Sequence, residues 1–118
     1  MKLVITEKPS VARDIARVMG ARTKGDGFIS GEDVTLTWCL GHLLELEEPA
    51  AYTSEWKRWK MDVLPMVPEP FALRLRKGMR ERWSVVRRLL RDARFDSVVN
   101  ACDAGREGEL IFRRAYEF

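Results

Sequence analysis

Residues 97–109 read SVVNACDAGREGE, a short apolar stretch that runs directly into a polar turn with three acids and two glycines. The stretch Ser97–Cys102 predicts a buried strand, and Asp103–Glu109 predicts the turn that leaves it. Leu110–Phe118 then has the pattern of a helix. A strand, an acidic turn and a helix in this order place carboxylates at the ligand-binding edge of an α/β sheet.

The amino end of the chain has a similar arrangement. Lys2–Thr6 (KLVIT) predicts a short buried strand, and Glu7 follows it directly. The next apolar residues recur at helical spacing, with Ser10 as the predicted N-cap and Gly20 at the helix C-terminus. The edge of the sheet where ligands bind therefore carries acids after two separate predicted strands, at Glu7 and at Asp103.

The middle of the chain supplies the remaining elements. Gly27–Ser30 and Val34–Cys39 predict two short strands joined by a turn, and Phe71–Leu75 predicts another. Residues 41–70 contain four prolines and predict an irregular excursion, whereas Met79–Arg94 predicts a basic helix. This order of elements indicates an α/β fold with a mainly parallel central sheet flanked by helices.

Length and composition narrow the class of protein. The chain has 118 residues, of which 46% are apolar, and this suits a single domain over residues 1–118 with its own core. Two cysteines give neither a disulfide framework nor a zinc pair, so the expected location is the reducing cytoplasm. No apolar run is long enough to span a membrane, so we expect no membrane partner.

The turn Asp103–Glu109 allows three interpretations. With Glu7 nearby, the carboxylates of Asp103, Glu107 and Glu109 would repel one another unless a cation offset their charge. Mg²⁺ fits because it takes a few carboxylates together with water and phosphate oxygens. Lys8 and Arg106 could instead form a structural ion-pair network, or the turn could be solvated, with acids that favour the helix dipole.

Positive charge is concentrated in residues 74–94. This stretch carries a net charge of +7, and the other 97 residues carry −4, in a chain of net charge +3. Such a concentration favours contact with a phosphate backbone, although a solvated amphipathic helix would look the same. The predicted DNA-binding face consists of Arg80, Arg87, Arg91 and Arg94. The predicted inward face consists of Met79, Val86, Leu90 and Ala93.

Other residue types give weaker signals. His42, the single histidine, is either a structural residue or a neighbour of the site. The four tryptophans could stack on bases but are more often packing residues. Tyr52 and Tyr116 have no activating neighbour in the sequence. Phosphate-binding loops of the GxxxxGK[ST] or GxGxxG type and the HExxH zinc motif do not occur.

Three segments together resemble a known family. They are ITEKPSVARDIA at 5–16, GHLLEL at 41–46 and NACDAGREGELIFRRAYEF at 100–118. In this order they resemble the Toprim domain of type IA DNA topoisomerases, most closely the topoisomerase III branch. The resemblance covers the chain from its first residue to its last. It implies a Rossmann-like Toprim fold with a four-stranded parallel sheet flanked by helices.

The resemblance also implies roles for individual residues. Glu7 matches the glutamate that acts as general acid or base near the scissile phosphate, and Lys8 matches the lysine that stabilises the charged transition state. Asp103 and Glu107 match the first and last acids of the Mg²⁺-binding motif, and Arg106 matches the arginine between them. Mg²⁺ is therefore the expected cofactor.

This sequence departs from the family at one position. Gly105 stands where many members have a second aspartate, so Glu109 would supply a further carboxylate or the site would hold one metal through fewer ligands. The family's DNA-cleaving tyrosine belongs to another domain, and neither Tyr52 nor Tyr116 matches its motif. With a last helix that has no stop signal, we expect a piece of a longer topoisomerase that is inactive alone.

The expected partners are single-stranded DNA and the remaining domains of the full-length enzyme, in the cytoplasm and at the nucleoid if the source is bacterial. Two alternatives stay open. A free-standing Toprim nuclease or primase-like protein would use a metal-activated water. A non-catalytic nucleic-acid-binding module would contact DNA through residues 74–94 without Mg²⁺.

Overall fold

A five-stranded mixed sheet forms the centre of the molecule in the computed structural model, which describes residues 1–118. The strand order is β2-β3-β4-β1-β7, in which β4, β1 and β7 are parallel and β2, β3 and β4 are antiparallel. The strands are β1 (Lys2–Thr6), β2 (Thr23–Gly25), β3 (Phe28–Ser30), β4 (Val34–Trp38), β5 (Leu44–Leu46), β6 (Leu73–Leu75) and β7 (Ser97–Asn100).

The predicted α/β class is confirmed, with one strand more than the four expected. The additional strand, β2, has the sequence TKG and is fully exposed. It extends the sheet only by pairing with β3, so no apolar pattern could have indicated it. The predicted strands around the turn at Gly31 are present as β3 and β4.

Helices cover both faces of the sheet. Successive residues of β1 point to opposite faces, so this strand contributes to the core on each side. Val4 packs with Leu36 and with the first helix, whereas Leu3 and Ile5 pack against the last two long helices. This gives a three-layer α/β/α arrangement. The helices are α1 (Pro9–Val18), α2 (Pro49–Tyr52), α3 (Arg80–Leu90) and α4 (Arg106–Glu117).

Helix α1 begins two residues earlier than expected. The prediction that Ser10 is the N-cap is wrong, because Pro9 is the first helical residue and Lys8 precedes it without a side-chain cap. Proline suits this position since its fixed φ is already helical and its missing N–H has no partner there. The predicted C-terminal glycine is confirmed, since Gly20 has a φ of +72°.

Helix α3 is shorter than the predicted Met79–Arg94. It ends at Leu90, and Ala93 is exposed beyond it, so the predicted inward face is partly wrong. The residues that α3 buries are Trp83, Val86 and Leu89. Met79 and Leu90 pack only at the margin of this core.

Strand β7 lies at the edge of the sheet and has no strand on its outer side. The prediction of a buried strand over Ser97–Cys102 is therefore wrong in extent and in burial, because the strand ends at Asn100 and is partly exposed. Val98 still packs against the core below it. An apolar run does not distinguish an edge strand from a central one.

Residues 41–75, here called the excursion, leave the central sheet after β4. They contain the short helix α2, two 3-10 turns and the strands β5 and β6, which pair antiparallel. The expected irregular segment is confirmed, and the strand predicted over Phe71–Leu75 is present as β6. The pairing of β6 with β5 rather than with the central sheet was not predicted.

No helix in the structure has the length and apolar character needed to cross a membrane.

Candidate active site

The candidate site lies where the three parallel strands end. The register pairs Thr6 of β1 with Trp38 of β4, and Ile5 of β1 with Asn100 of β7. Because the three strands run in the same direction, the segments that follow them leave from one edge of the sheet. This register brings Glu7 and the segment that begins at Asp103 to the same edge of the sheet.

Backbone hydrogen bonds continue beyond the strand ends and hold these segments together. The Cys39 amide donates to the Thr6 carbonyl at 2.9 Å, and the Gly41 amide donates to the Glu7 carbonyl at 3.2 Å. On the other side, the Ala101 amide donates to the Ile5 carbonyl at 2.8 Å. Glu7 is therefore anchored by its own main chain between the ends of β4 and β7.

The prediction that Asp103–Glu109 is a turn is wrong from Arg106 onward, because helix α4 already begins there. Gly108, in the first turn of this helix, shapes the acidic segment. A Cβ at this position would lie 2.1 Å from the Asp103 carbonyl oxygen, so only glycine lets the first turn of α4 pack this closely. Gly105 has an extended φ of −170° and open space around it. In the structure, Gly108 allows close approach to Asp103 itself.

His42 and Glu107 form a direct contact. The His42 Nε2 and the Glu107 Oε1 lie within hydrogen-bonding distance, although the residues are 65 positions apart. This hydrogen bond lowers the pKa of the Glu107 carboxyl, and the charge of His42 acts in the same direction. The His42 carbonyl accepts a further hydrogen bond from Arg76 at 3.2 Å. His42 thus lies at the acidic turn, as a neighbour of the site.

Glu109 has different partners from Glu107. Its carboxylate accepts hydrogen bonds from Asn100 Nδ2 at 2.8 Å and from Arg113 Nε at 2.7 Å. This contact raises the pKa of Arg113. Residues two apart on a helix point in different directions, which is why the two glutamates do not share a partner. The role of Asn100 had no signal in the sequence.

One of the three interpretations of the acidic segment was an ion-pair network with Lys8 and Arg106, and no such ion pair forms. Both side chains are exposed, and neither belongs to any ion pair in the structure. The interpretation of this segment as an ion-pair network is therefore wrong for the two cations that it named. Two cationic side chains at this edge remain free for an anionic ligand.

No three His, Cys, Asp or Glu side chains are arranged as a ready ligand group for a metal ion. Glu107 is held by His42, and Glu109 is held by Arg113. The donor chemistry nevertheless fits a hard cation, because Glu7, Asp103 and Glu107 offer carboxylate oxygens at one sheet edge. His42 contacts only the Oε1 atom of Glu107, so the Oε2 atom of this carboxylate has no partner within the chain.

Two cysteines lie beneath the same edge. Cys39 is buried after β4, and Cys102 is half-buried after β7, where its thiol lies 3.8 Å from the Ile5 carbonyl. A hydrogen bond with Cys102, together with burial, raises the pKa of the Cys39 thiol. Sequence spacing could not reveal this contact, because the cysteines follow two strands separated by β1.

Comparison with known proteins identifies the family of this chain. The model of the Toprim domain matches residues 2–118. The chain belongs to the Toprim domain family. The resemblance that the three sequence segments indicated is thereby confirmed.

Curated relatives of this Toprim chain carry the name DNA topoisomerase 3. The proteins from Shouchella clausii (strain KSM-K16), Haemophilus influenzae (strain Rd) and Bacillus subtilis (strain 168) are 45%, 44% and 41% identical over 112, 120 and 111 residues. These alignments cover 94–100% of the chain but only 15–18% of each relative. The Toprim chain therefore spans less than a fifth of the length of these relatives.

The basic helix presents fewer free arginines than expected. Arg94 lies beyond α3 and pairs with Asp92 at 2.6 Å, so the predicted four-arginine face is wrong at that position. Arg82 is half-buried, since its Nη2 donates to the Gly27 carbonyl and to Thr37 Oγ1, each at 2.8 Å. The exposed arginines without an ion pair that remain of the predicted face are Arg80, Arg87 and Arg91.

Neither tyrosine lies at the acidic edge of the Toprim chain. The Tyr52 hydroxyl accepts a hydrogen bond from the Ala72 amide at 2.7 Å, within the excursion. Tyr116 stacks on Phe112 near the end of α4, with 5.7 Å between ring centroids. Both contacts are structural.

Proposed function

We propose that this Toprim chain is the acid- and metal-bearing half of the active site of a type IA DNA topoisomerase. In the whole enzyme it acts with a tyrosine from another domain to cleave, pass and reseal single-stranded DNA, in the cytoplasm. One observation carries the proposal. Glu7 and Asp103 follow adjacent parallel strands in a chain that is 41–45% identical to proteins named DNA topoisomerase 3.

The proposed roles follow from charge and position. Glu7 moves a proton at the phosphate as general acid or base, since its backbone is fixed at the end of β1. Lys8 and Arg106 offset negative charge on the phosphate, because no carboxylate of the chain holds either of them. Arg80, Arg87 and Arg91 on and next to α3 contact the backbone of the bound strand.

The proposed cofactor is Mg²⁺, which offsets phosphate charge when bound. We assign it to Asp103 and Glu107, with water as further ligands. Glu109 was also expected as a ligand, but it would first have to leave Arg113 and Asn100. Gly105 supplies no side chain, and this favours one ion over two.

Isothermal titration of the purified chain with Mg²⁺ tests the metal assignment. We expect the binding heat to be lost when Asp103→Asn and Glu107→Gln are combined. The matched control is Glu32→Gln, which removes an exposed glutamate from the β3–β4 turn. Equal heats for the double variant and the control would refute the assignment.

Incubation with DNA tests whether the active site is divided between this chain and another domain. Negatively supercoiled plasmid and single-stranded DNA, each with and without Mg²⁺, should stay unchanged, because the chain has no tyrosine at the acidic edge. Mg²⁺-dependent nicking that disappears in Glu7→Gln would instead identify a self-sufficient nuclease and would overturn the proposal.

A further inference from the structure

Trp59 differs from the other tryptophans of the chain. It is 77% exposed and has no aromatic or cationic partner. The other three each contact a second side chain, within 6.0 Å of the ring centroid. The pairs are Trp38 with Arg82, Trp56 with Tyr52, and Trp83 with Phe118.

Three free cations surround this indole in sequence. Lys57, Arg58 and Lys60 are exposed, and none of them belongs to an ion pair. If Trp59 packed against an apolar protein surface, the three neighbouring charges would lose their hydration in that contact, and this costs free energy. An anionic partner with flat apolar groups would instead be stabilised by the three cations and by contact with the indole.

The backbone that carries Trp59 is braced at its base. The Tyr52 hydroxyl accepts a hydrogen bond from the Ala72 amide across the excursion. Arg74 pairs with three carboxylates of the opposite strand and the residues that follow it, at 3.0 to 3.3 Å. These carboxylates belong to Glu45, Glu47 and Glu48. A segment whose two ends are held together loses less conformational entropy on binding than a free loop.

We propose that Trp59, with Lys57, Arg58 and Lys60, is a stacking platform for a base of single-stranded nucleic acid. The inference rests on the proposed DNA substrate and adds a contact that the basic helix does not provide. Bases stack on exposed aromatic faces, while lysine and arginine neutralise the adjoining phosphates. The platform consists of residues 57–60 of the excursion, a segment of the chain separate from α3 and from Asp103–Glu109.

Fluorescence anisotropy with two labelled strands tests the proposal on the chain itself. One strand is an oligothymidylate of about 16 nucleotides, and the other is an abasic strand of the same length. Trp59→Ala should weaken binding of the thymidylate by about 5- to 150-fold and leave the abasic strand unaffected. Trp59→Phe should restore part of the loss because it keeps an aromatic face.

The controls separate stacking from charge and from apolar area. Val67→Ala truncates an exposed apolar residue of the same excursion and should change neither affinity. Replacing Lys57, Arg58 and Lys60 by glutamine should weaken both strands and reduce the slope of log affinity against log salt by about 2.

Each remaining outcome overturns the platform in a distinguishable way. If Trp59→Ala binds like the wild type while Arg87→Glu with Arg91→Glu does not, DNA binding stands and the platform is refuted. If the wild type binds neither strand at about 50 mM salt, both DNA proposals fail. If Trp59→Ala changes only self-association in sedimentation, the surface is a protein interface.

Discussion

The parallel strand ends and the excursion are stabilised by different interactions. Four of the five residues of β1 are fully or almost fully buried, and helices cover both faces of the sheet. Between residues 47 and 72, Pro68 is the only buried residue. The sheet depends on apolar burial, and Leu43 and Leu44 at the start of the excursion share its core, whereas residues 47–72 depend on ion pairs and single hydrogen bonds. The sheet can therefore hold a site in fixed geometry, and the excursion can present side chains to a partner.

The largest expected contrast comes from one substitution made in each region. Leu36→Ala in β4 removes a fully buried side chain, and we expect it to lower the free energy of unfolding by about 2 to 5 kcal/mol. Leu64→Ala in the excursion removes a side chain that is 41% exposed and should cost about 1 kcal/mol or less.

Urea denaturation followed by circular dichroism measures both variants. Equal losses of stability would mean that the excursion contributes to the same cooperative core, and the contrast between the two regions would be wrong.

A smaller effect is expected at the edge that carries the site. Gly108→Ala brings a Cβ against the Asp103 carbonyl, and we expect a loss of about 1 to 3 kcal/mol as the turn shifts. Gly105→Ala, three residues earlier, meets no atom within 4 Å and should cost only about 0.5 to 1 kcal/mol, because alanine is a poorer N-cap than glycine.

Thermal unfolding with Mg²⁺ titration checks this pair of variants. Gly108→Ala should also weaken Mg²⁺ binding, because the clash moves Asp103 relative to Glu107. A variant that keeps both stability and metal affinity would show that the close packing of α4 on Asp103 is not needed.

The sequence predicted the sheet better than the surroundings of the site. KLVIT is a short apolar run, and VTLTW of β4 alternates apolar residues with threonine, so both segments could be predicted as strands of a mainly parallel sheet. The same logic failed for β7, because SVVN reads as buried although the structure leaves one edge free. Burial of an edge strand depends on which elements lie beside it, and local sequence does not contain that information.

The site residues were predictable as positions but not as contacts. Strand ends placed Glu7 and Asp103 at one edge, whereas the pairing of His42 with Glu107 joins segments 65 residues apart. The end of α3 was also missed, since Arg91–Arg94 contains no glycine or proline to stop a helix. Long-range contacts and weak stop signals both depend on tertiary packing.

The smallest expected effect concerns the brace of the excursion. Arg74→Gln removes the cation shared by three carboxylates, and those contacts raise the pKa of the guanidinium. Because these charges face solvent, we expect little change in the melting temperature of the whole chain. Local opening should increase instead, since β5 and β6 have only each other as sheet partners.

Limited proteolysis with chymotrypsin measures this local opening. The Arg74→Gln variant should be cleaved faster near Trp59 and Phe71, whereas Arg58→Gln, which breaks no ion pair, should be cleaved at the wild-type rate. A uniform rise in cleavage across the chain would mean that the excursion and the sheet open together.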